Sequence, residues 1–397
     1  MQFRILLFAL LVVLASCARA PLKGQENAMR RTSPPELSDD LPVESLLAAV
    51  TAQIKFFEKW PGDSKPFVFG EVSLKREDYL SGLKRFVELG RTSASPAVFL
   101  ERVKEEFDFY EVYGQKSWGE VFVTSYFEPV IPGSLKATPR FSQPLYQTPD
   151  DLLSIDLAAF DPRLEQQRKF RGRLVGKAIM PYFSRREIDS NKSLKGRKLE
   201  ICWVDPIDAF FLQVQGSGTI ELEDRRQLRV NYAEKNGHPY ESLSNHLKSR
   251  IPLEQMNMHT IEAFLRSLPA SEAREYLERN PSYVFFRTSQ ERAVTYLGIE
   301  ATDGRTIATD PRYFPKGALA FLHFEKPVFN PPESLVPSTT EPAARFVLDQ
   351  DIGGAIQGPG RVDLFWGRGA DAKRFAGAMK FPGKLYYLVP KTGRPRS

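Results

Sequence analysis

The sequence predicts a mainly β protein with helices near its front and in its middle. Three observations lead there. Pro and Gly are frequent (30 and 26 in 397 residues), which favours short elements between turns over a helical bundle. The stretches "EVFVTSYFEPVI", "RLVGKAIMPYF", "LEICWV", "DAFFLQVQGSGTIEL" and "RQLRVNY" are short, β-branched and aromatic, and bounded by turn residues, so they read as strands. Strand character resumes in "SYVFFR" and continues in short pieces over 294–390. A composition 42% apolar and 12% aromatic supplies a real core, and the length allows two domains or one domain with a large insertion.

At the front, "MQFRILLFALLVVLAS" is one Arg followed by an apolar run too short to span a bilayer comfortably, so residues 1–16 read as an export signal. Leu14-Ala15-Ser16 before Cys17 matches the box after which bacterial lipoproteins are cleaved and acylated, and Ala18 points to the outer membrane. Residues 17–44 are polar and Pro-rich, a flexible tether behind the lipid. Leu47, Val50, Ile54 and Phe57 recur at helical spacing up to Pro61-Gly62, and a second helix is expected over Ser95–Tyr110. "EQMNMHTIEAFLRSL" and "SEAREYLERN" give two mid-chain helices, the second capped by Ser271. "NPPESLVPSTTEPAAR" reads as a surface loop.

Several function classes drop out. The net charge of +6 suits an anionic polymer or a membrane surface but decides little alone, and no nucleic-acid module is present. None of the four His has ligand spacing with another His, Cys or carboxylate, so neither a metal nor another cofactor is expected. Acylation of Cys17 would leave Cys202, in an apolar run, as an inert core thiol. Gly216-Ser217-Gly218 lacks the glycines and the following helix of a nucleophile elbow.

Three clusters remain as chemistry. In "DIGGAIQGPGRVDLFWGRG", strand alternation puts Val362, Leu364 and Trp366 on one face, with Val362 and Leu364 toward the core, and puts Asp363 and Phe365 on the open face, with aromatic surface nearby. A carboxyl so held can give its proton to a glycosidic oxygen once partial burial raises its pKa. Asp351, Gly353 and Gly354 precede it in a segment that lets backbone come close to a ligand. Asp363 could equally cap a turn or pair with Arg361 or Arg368. In "TSYFEPVIPGS", Tyr126 and Phe127 could stack on sugar rings and Glu128 could bond hydroxyls, or the aromatics could be core. In "DAFFLQVQGSG", Gln213 and Gln215 on one face of a strand, closed by Gly216 and Ser217, offer amides to sugar hydroxyls or N-acetyl groups.

Together "TSYFEP", "DAFFLQVQGSG", "NYAEKNGHPY", "NPSYVFFR", "ATDPRYFPKGA" and "DIGGAIQGPGRVDLFWGRG" resemble, in family order over about residues 45–390, the membrane-bound lytic murein transglycosylase A (MltA) family. The last two resemble its three-aspartate module, whose acids fall on Asp310, Asp351 and Asp363. Small departures are Ser125 for a common Gly and Gln357 for a common Lys.

The resemblance implies a double-psi β-barrel over 45–129 and 288–395, interrupted by a β-rich substrate-binding insertion over 130–287, with the glycan between them. It implies Asp363 as the catalytic acid, Asp351 as its supporting acid, and cleavage of the bond between N-acetylmuramic acid and N-acetylglucosamine with 1,6-anhydro ends. Substrate contacts are then expected from Tyr126, Phe127, Glu128, Gln213, Gln215, Gly216, Ser217, Asp310, Gly353, Gly354 and Trp366, with other cell-wall enzymes as candidate partners. A hydrolase of the same glycan and a non-catalytic peptidoglycan-binding lipoprotein stay open as alternatives.

Overall fold

The computed structural model describes residues 24–391 except 61–64, 115–116, 162–169 and 291; the export signal and Cys17 lie outside the described residues. Its centre is a closed six-stranded barrel. Going round, Lys380–Pro390 pairs with Ala318–Val328, then come Thr339–Asp351, Thr306–Ala308, Arg361–Arg368 and Glu120–Glu128, which pairs back onto Lys380–Pro390. Two pairings are parallel, Thr306–Ala308 with Thr339–Asp351 and Arg361–Arg368 with Glu120–Glu128; the others are antiparallel.

The closing strand has to serve two neighbours at one point. Gly383 lies opposite Phe324 on one side and Val121 on the other. A Cβ there would stand 2.5 Å from the His323 carbonyl oxygen and 2.7 Å from Val123 Cγ2, so the absent side chain is what lets the backbones meet. The run Ala318–Leu322 is buried on both faces because helices cover the barrel from outside. These are Val43–Lys59, as the sequence spacing predicts, Arg76–Thr92, and Pro96–Glu106. The last is shorter than expected. Phe107–Val112, which takes in the end of the expected helix Ser95–Tyr110, is a strand alongside Lys380–Pro390, as its run of buried aromatics, Phe107, Phe109 and Tyr110, suits.

The expected tether is partly structured. Met29–Thr32 adds an edge strand to Phe107–Val112. Leu37 is buried, Asp39 receives the fully buried Arg305 at 2.6 Å, and Asp40 receives Arg345 at 2.5 Å. Residues 24–44 therefore belong to the folded body. Two acids that read as solvated tether charge are counterions for barrel arginines that would otherwise be buried alone.

Between the barrel strands Glu120–Glu128 and Thr306–Ala308 lies a second, six-stranded sheet. Its order is Val284–Ser289, Gln227–Lys235, Ser217–Leu222, Val130–Ser134, Glu200–Val204 and Gln143–Tyr146. "DAFFLQVQGSG" is not a single strand: Pro206–Gln215 is a helix, and strand begins at Ser217. Asp205 caps it by accepting from the Ile207 and Asp208 N–H groups, Pro206 opens it, and Gly216 closes it with φ +85°. The strand-like composition lost to an N-cap, a first-turn proline and a C-terminal glycine acting together. Among the mid-chain helices, Met258–Ser267 and Ala270–Leu277 form as expected, although the second is preceded by Pro269 and Ser271 lies inside it.

Asp39→Ala should lower stability by about 3 kcal/mol, since it strips a counterion from a buried guanidinium. Chemical denaturation reads this directly; a free tether would give no change.

Candidate active site

Pairing register assembles the site. Asp363 lies opposite Thr124 on the parallel neighbour and opposite Ala308 on the antiparallel one, and Ala308 lies opposite Asp351. Thr124, Asp363, Ala308 and Asp351 thus form one row across four strands. Val362 and Leu364 are fully buried, while Asp363 keeps part of its surface in solvent. This is the alternation the sequence suggested.

Thr124 Oγ1 donates to Asp363 Oδ1 at 2.6 Å. Among the described residues no cation hydrogen-bonds this carboxyl. Burial raises its pKa to about 6, against the lowering effects of the Thr124 bond and of Arg361 nearby, while the charge of Asp351 adds to the rise. Asp351 is engaged differently. Its Oδ2 accepts from the Tyr126 hydroxyl at 2.8 Å, and its Oδ1 accepts from the N–H groups of Tyr296 and Ile352, both at 2.9 Å. Burial raises its pKa as well, opposed by those bonds and by the charge of Lys316. Burial also drives the Tyr126 phenol well above its ordinary range, helped by Asp351, so it stays a donor.

Beneath the row is a buried polar clamp that the sequence reading did not find. Lys316 Nζ donates to Asp349 Oδ1 at 2.7 Å, to Thr309 Oγ1 at 2.7 Å, and to the backbone oxygens of Thr309 and Asp351 at 2.9 Å each. Asp349, wholly buried, also accepts from Thr309 Oγ1 and the Tyr387 hydroxyl, both at 2.6 Å. One ammonium thereby joins the ends of the Thr306–Ala308 and Thr339–Asp351 strands just where Asp351 leaves the sheet. Asp310 is a second clamp. Burial would raise its pKa, but Arg312 and the Gly358 N–H, which donates at 2.8 Å, hold it below the usual value. It ties down the loop 352–360, which carries Gly353 and Gly354.

The other residues expected at the site lie as follows. Phe127 is buried with Trp366, Ala372 and Ala376 rather than offering a platform. Trp366 points away from Asp363, as odd spacing along a strand requires, and stacks on Phe375 at 5.0 Å. Glu128 is buried and accepts from Thr219 Oγ1 at 3.0 Å. Gln213 is buried in the insertion, its amide oxygen taken by Arg185 at 2.7 Å. Gln215 accepts from the Phe127 N–H at 3.0 Å and so joins barrel and insertion. Being on a helix, the two glutamines do not share a face. Gly216 is the helix cap, and Ser217 starts the strand that pairs with Asn231. Cys202 is a buried thiol pushed up to about 12 by burial. Among the described residues no group of His, Cys and acidic side chains could hold a metal ion.

The comparisons with known proteins bear on this arrangement. Residues 122–287 match the family model described as the MltA specific insert domain, and residues 305–389 match that of the 3D domain. This chain belongs to the MltA family. A curated relative, membrane-bound lytic murein transglycosylase A of Escherichia coli K12, is 28% identical over 72% of this chain and 70% of its own length. The protein of that name from Vibrio cholerae is 26% identical over 98% of this chain and 95% of its own. Among solved structures, a membrane-bound lytic murein transglycosylase from Agrobacterium tumefaciens aligns with a TM-score of 0.73 at 26% identity, over 92% of this chain and 98% of the other. MltA from Neisseria gonorrhoeae aligns with a TM-score of 0.66 at 28% identity, over 89% of each. MltA relatives are thus lytic murein transglycosylases. Both matched segments contain parts of the site, with Thr124 and Tyr126 in the first and Asp351 and Asp363 in the second.

Lys316→Met should cost about 3 kcal/mol because it leaves Asp349 buried and unpaired, and Lys316→Met with Asp349→Asn should recover part of that loss. A denaturation double-mutant cycle checks both.

Proposed function

We propose that the chain is a lytic transglycosylase that cleaves the β-1,4 bond between N-acetylmuramic acid and N-acetylglucosamine in peptidoglycan. The observation that supports this most is the state of Asp363: a partly exposed carboxyl, bonded by a neutral hydroxyl and raised to about 6 by burial. Such a group can both give and take a proton near neutral pH.

In the proposed reaction Asp363 protonates the N-acetylglucosamine O4 as the bond from muramic C1 to O4 breaks. The muramic O6 then closes on C1, and its proton returns to Asp363. The product is a 1,6-anhydro ring, with no water consumed and the carboxyl restored. A hydrolase needs a second carboxylate to activate water or attack. Here the acids nearby are occupied, Asp351 by three donors and Glu128 by Thr219. An intramolecular O6 removes that need, since its effective concentration is high. Asp351 would tune Asp363 through charge while Tyr126 keeps it in place.

On this reading the expected catalytic domain, residues 45–129 and 288–395, also takes in the packed segment 24–44. Its two parallel strand pairs are the feature that favours a double-psi topology. Residues 130–287 would line the other side of the glycan path. The loop 352–360, with Gly353 and Gly354, and the residues Tyr126, Gln215, Ser217 and Asp310 would shape that path, several of them by holding others. The word "membrane-bound" in the relatives' names favours a membrane anchor, which acylation at Cys17 would supply, while a periplasm-facing place on the outer membrane rests on Ala18 after that cysteine. No helix among the described residues is long and apolar enough to cross a membrane.

Asp363→Asn should abolish solubilisation of purified peptidoglycan while leaving the circular dichroism spectrum unchanged; substantial residual turnover would remove the assigned role. The general acid must be protonated, so kcat/KM should fall as pH rises through about 6. The same raised pKa means that Asp363 stabilises the fold below its unfolded-state pKa and loses that contribution as pH rises through about 6. Asp363→Asn should therefore raise the Tm at alkaline pH and have less effect in acid.

A further inference from the structure

Phe127, expected with Tyr126 to stack on sugar rings, and Trp366, expected among the substrate contacts, are packed against protein. Another aromatic stands at the site. Residues 293–301 form a tight hairpin. The Ala301 N–H donates to the Ala293 oxygen at 2.8 Å, the Thr295 N–H to the Ile299 oxygen at 2.9 Å, and Gly298 turns the chain with φ +82°. One side of the hairpin is anchored to the barrel: Ala293 and Ala301 are buried against Phe365 and Tyr126. Phe365 lies two residues from Asp363 and so shares its face of the strand. The tip is anchored too, since the Tyr296 N–H donates to Asp351 Oδ1 at 2.9 Å and the Leu297 N–H to the Gln350 oxygen at 3.3 Å. The residue whose backbone is fixed on the supporting acid is itself 59% exposed.

We propose that the Tyr296 ring is a stacking platform for an N-acetylhexosamine ring of the glycan, next to the bond that Asp363 addresses. In a β-1,4-linked glucosamine-type sugar the bulky substituents are equatorial, so each face presents a flat array of axial C–H groups. Those slightly positive hydrogens suit the negative face of an aromatic ring. The contact buries apolar surface of both partners and asks little of Tyr296, whose main chain is already ordered by Asp351. It also sets the depth of the sugar: a ring resting on Tyr296 is held at the edge of the Asp351–Tyr126–Asp363 row. No proton transfer is assigned to Tyr296, which is a binding residue.

This inference rests on the glycan reading of the site, and its test separates the two. Affinity for a β-1,4-linked N-acetylglucosamine hexamer is measured by calorimetry in the Asp363→Asn background, with Tyr296, Tyr296→Ala and Tyr296→Phe. The Ala variant should bind about tenfold more weakly and the Phe variant within about twofold of the parent, because the ring and not the hydroxyl makes the contact. With Asp363 intact, Tyr296→Ala should raise KM for peptidoglycan by a similar factor with a much smaller change in kcat, the mark of binding shared by ground and transition states. Tyr296 is exposed, so its truncation should leave the melting temperature unchanged. Undiminished affinity of the Ala variant overturns the stacking proposal alone. Failure of the Tyr296 parent to bind the hexamer overturns it together with the glycan reading.

Discussion

The parallel pairing of Arg361–Arg368 with Glu120–Glu128 is the constraint on which the site depends. It joins segments some 240 residues apart and fixes their register so that Thr124 meets Asp363 and Tyr126 lies one step further along the same face. A slip of one residue would turn Asp363 into the core and Leu364 out to solvent. Register is held because Val362, Leu364, Val121 and Val123 are buried, and because the barrel closes on Gly383, where no side chain could fit. The position of the acid is therefore a property of the whole barrel and not of the glycine-rich segment that carries it.

Around that row, the acids differ in what faces them. Asp349 has an ammonium, Asp310 a guanidinium, and Asp351 a phenol and two backbone donors. Asp363 has a single hydroxyl and crowding protein. Cations hold the first two in place as structural groups, while burial without a bonded cation makes the last exchange its proton near neutrality. In the proposed reaction that difference is what divides the labour. Lys316 acts at a distance, by fixing the main chain at the point where Asp351 leaves its strand.

Much of this was legible in the sequence and some was not. Alternation around Asp363 could be read because one face of its strand is uniformly apolar, and the motif pieces carried the family. The Pro206–Gln215 helix was hidden because Phe210, Phe211 and Val214 mimic a strand while the deciding caps are single residues at its ends. Phe127 looked like a sugar platform because residue type does not reveal which face meets the core, whereas the odd spacing of Trp366 from Asp363 already set it on the opposite face. Thr124 had a signal that went unused: it precedes Tyr126 by two, on the same face. Lys316, Asp349 and Tyr387 come from three different strands and loops, so only the closed barrel brings them together. Asp39 and Asp40 sit in a segment whose composition says tether; their partners, Arg305 and Arg345, are hundreds of residues away.

In the proposed reaction one carboxyl serves twice while the sugar supplies its own nucleophile. Digestion of purified peptidoglycan in water enriched in heavy oxygen, followed by mass spectrometry of the released muropeptides, tests it most directly. If Asp363 serves alone, the released muropeptides carry 1,6-anhydromuramic ends free of heavy oxygen. Reducing muramic ends carrying the heavy isotope at C1 would show that water attacked instead, and would contradict it.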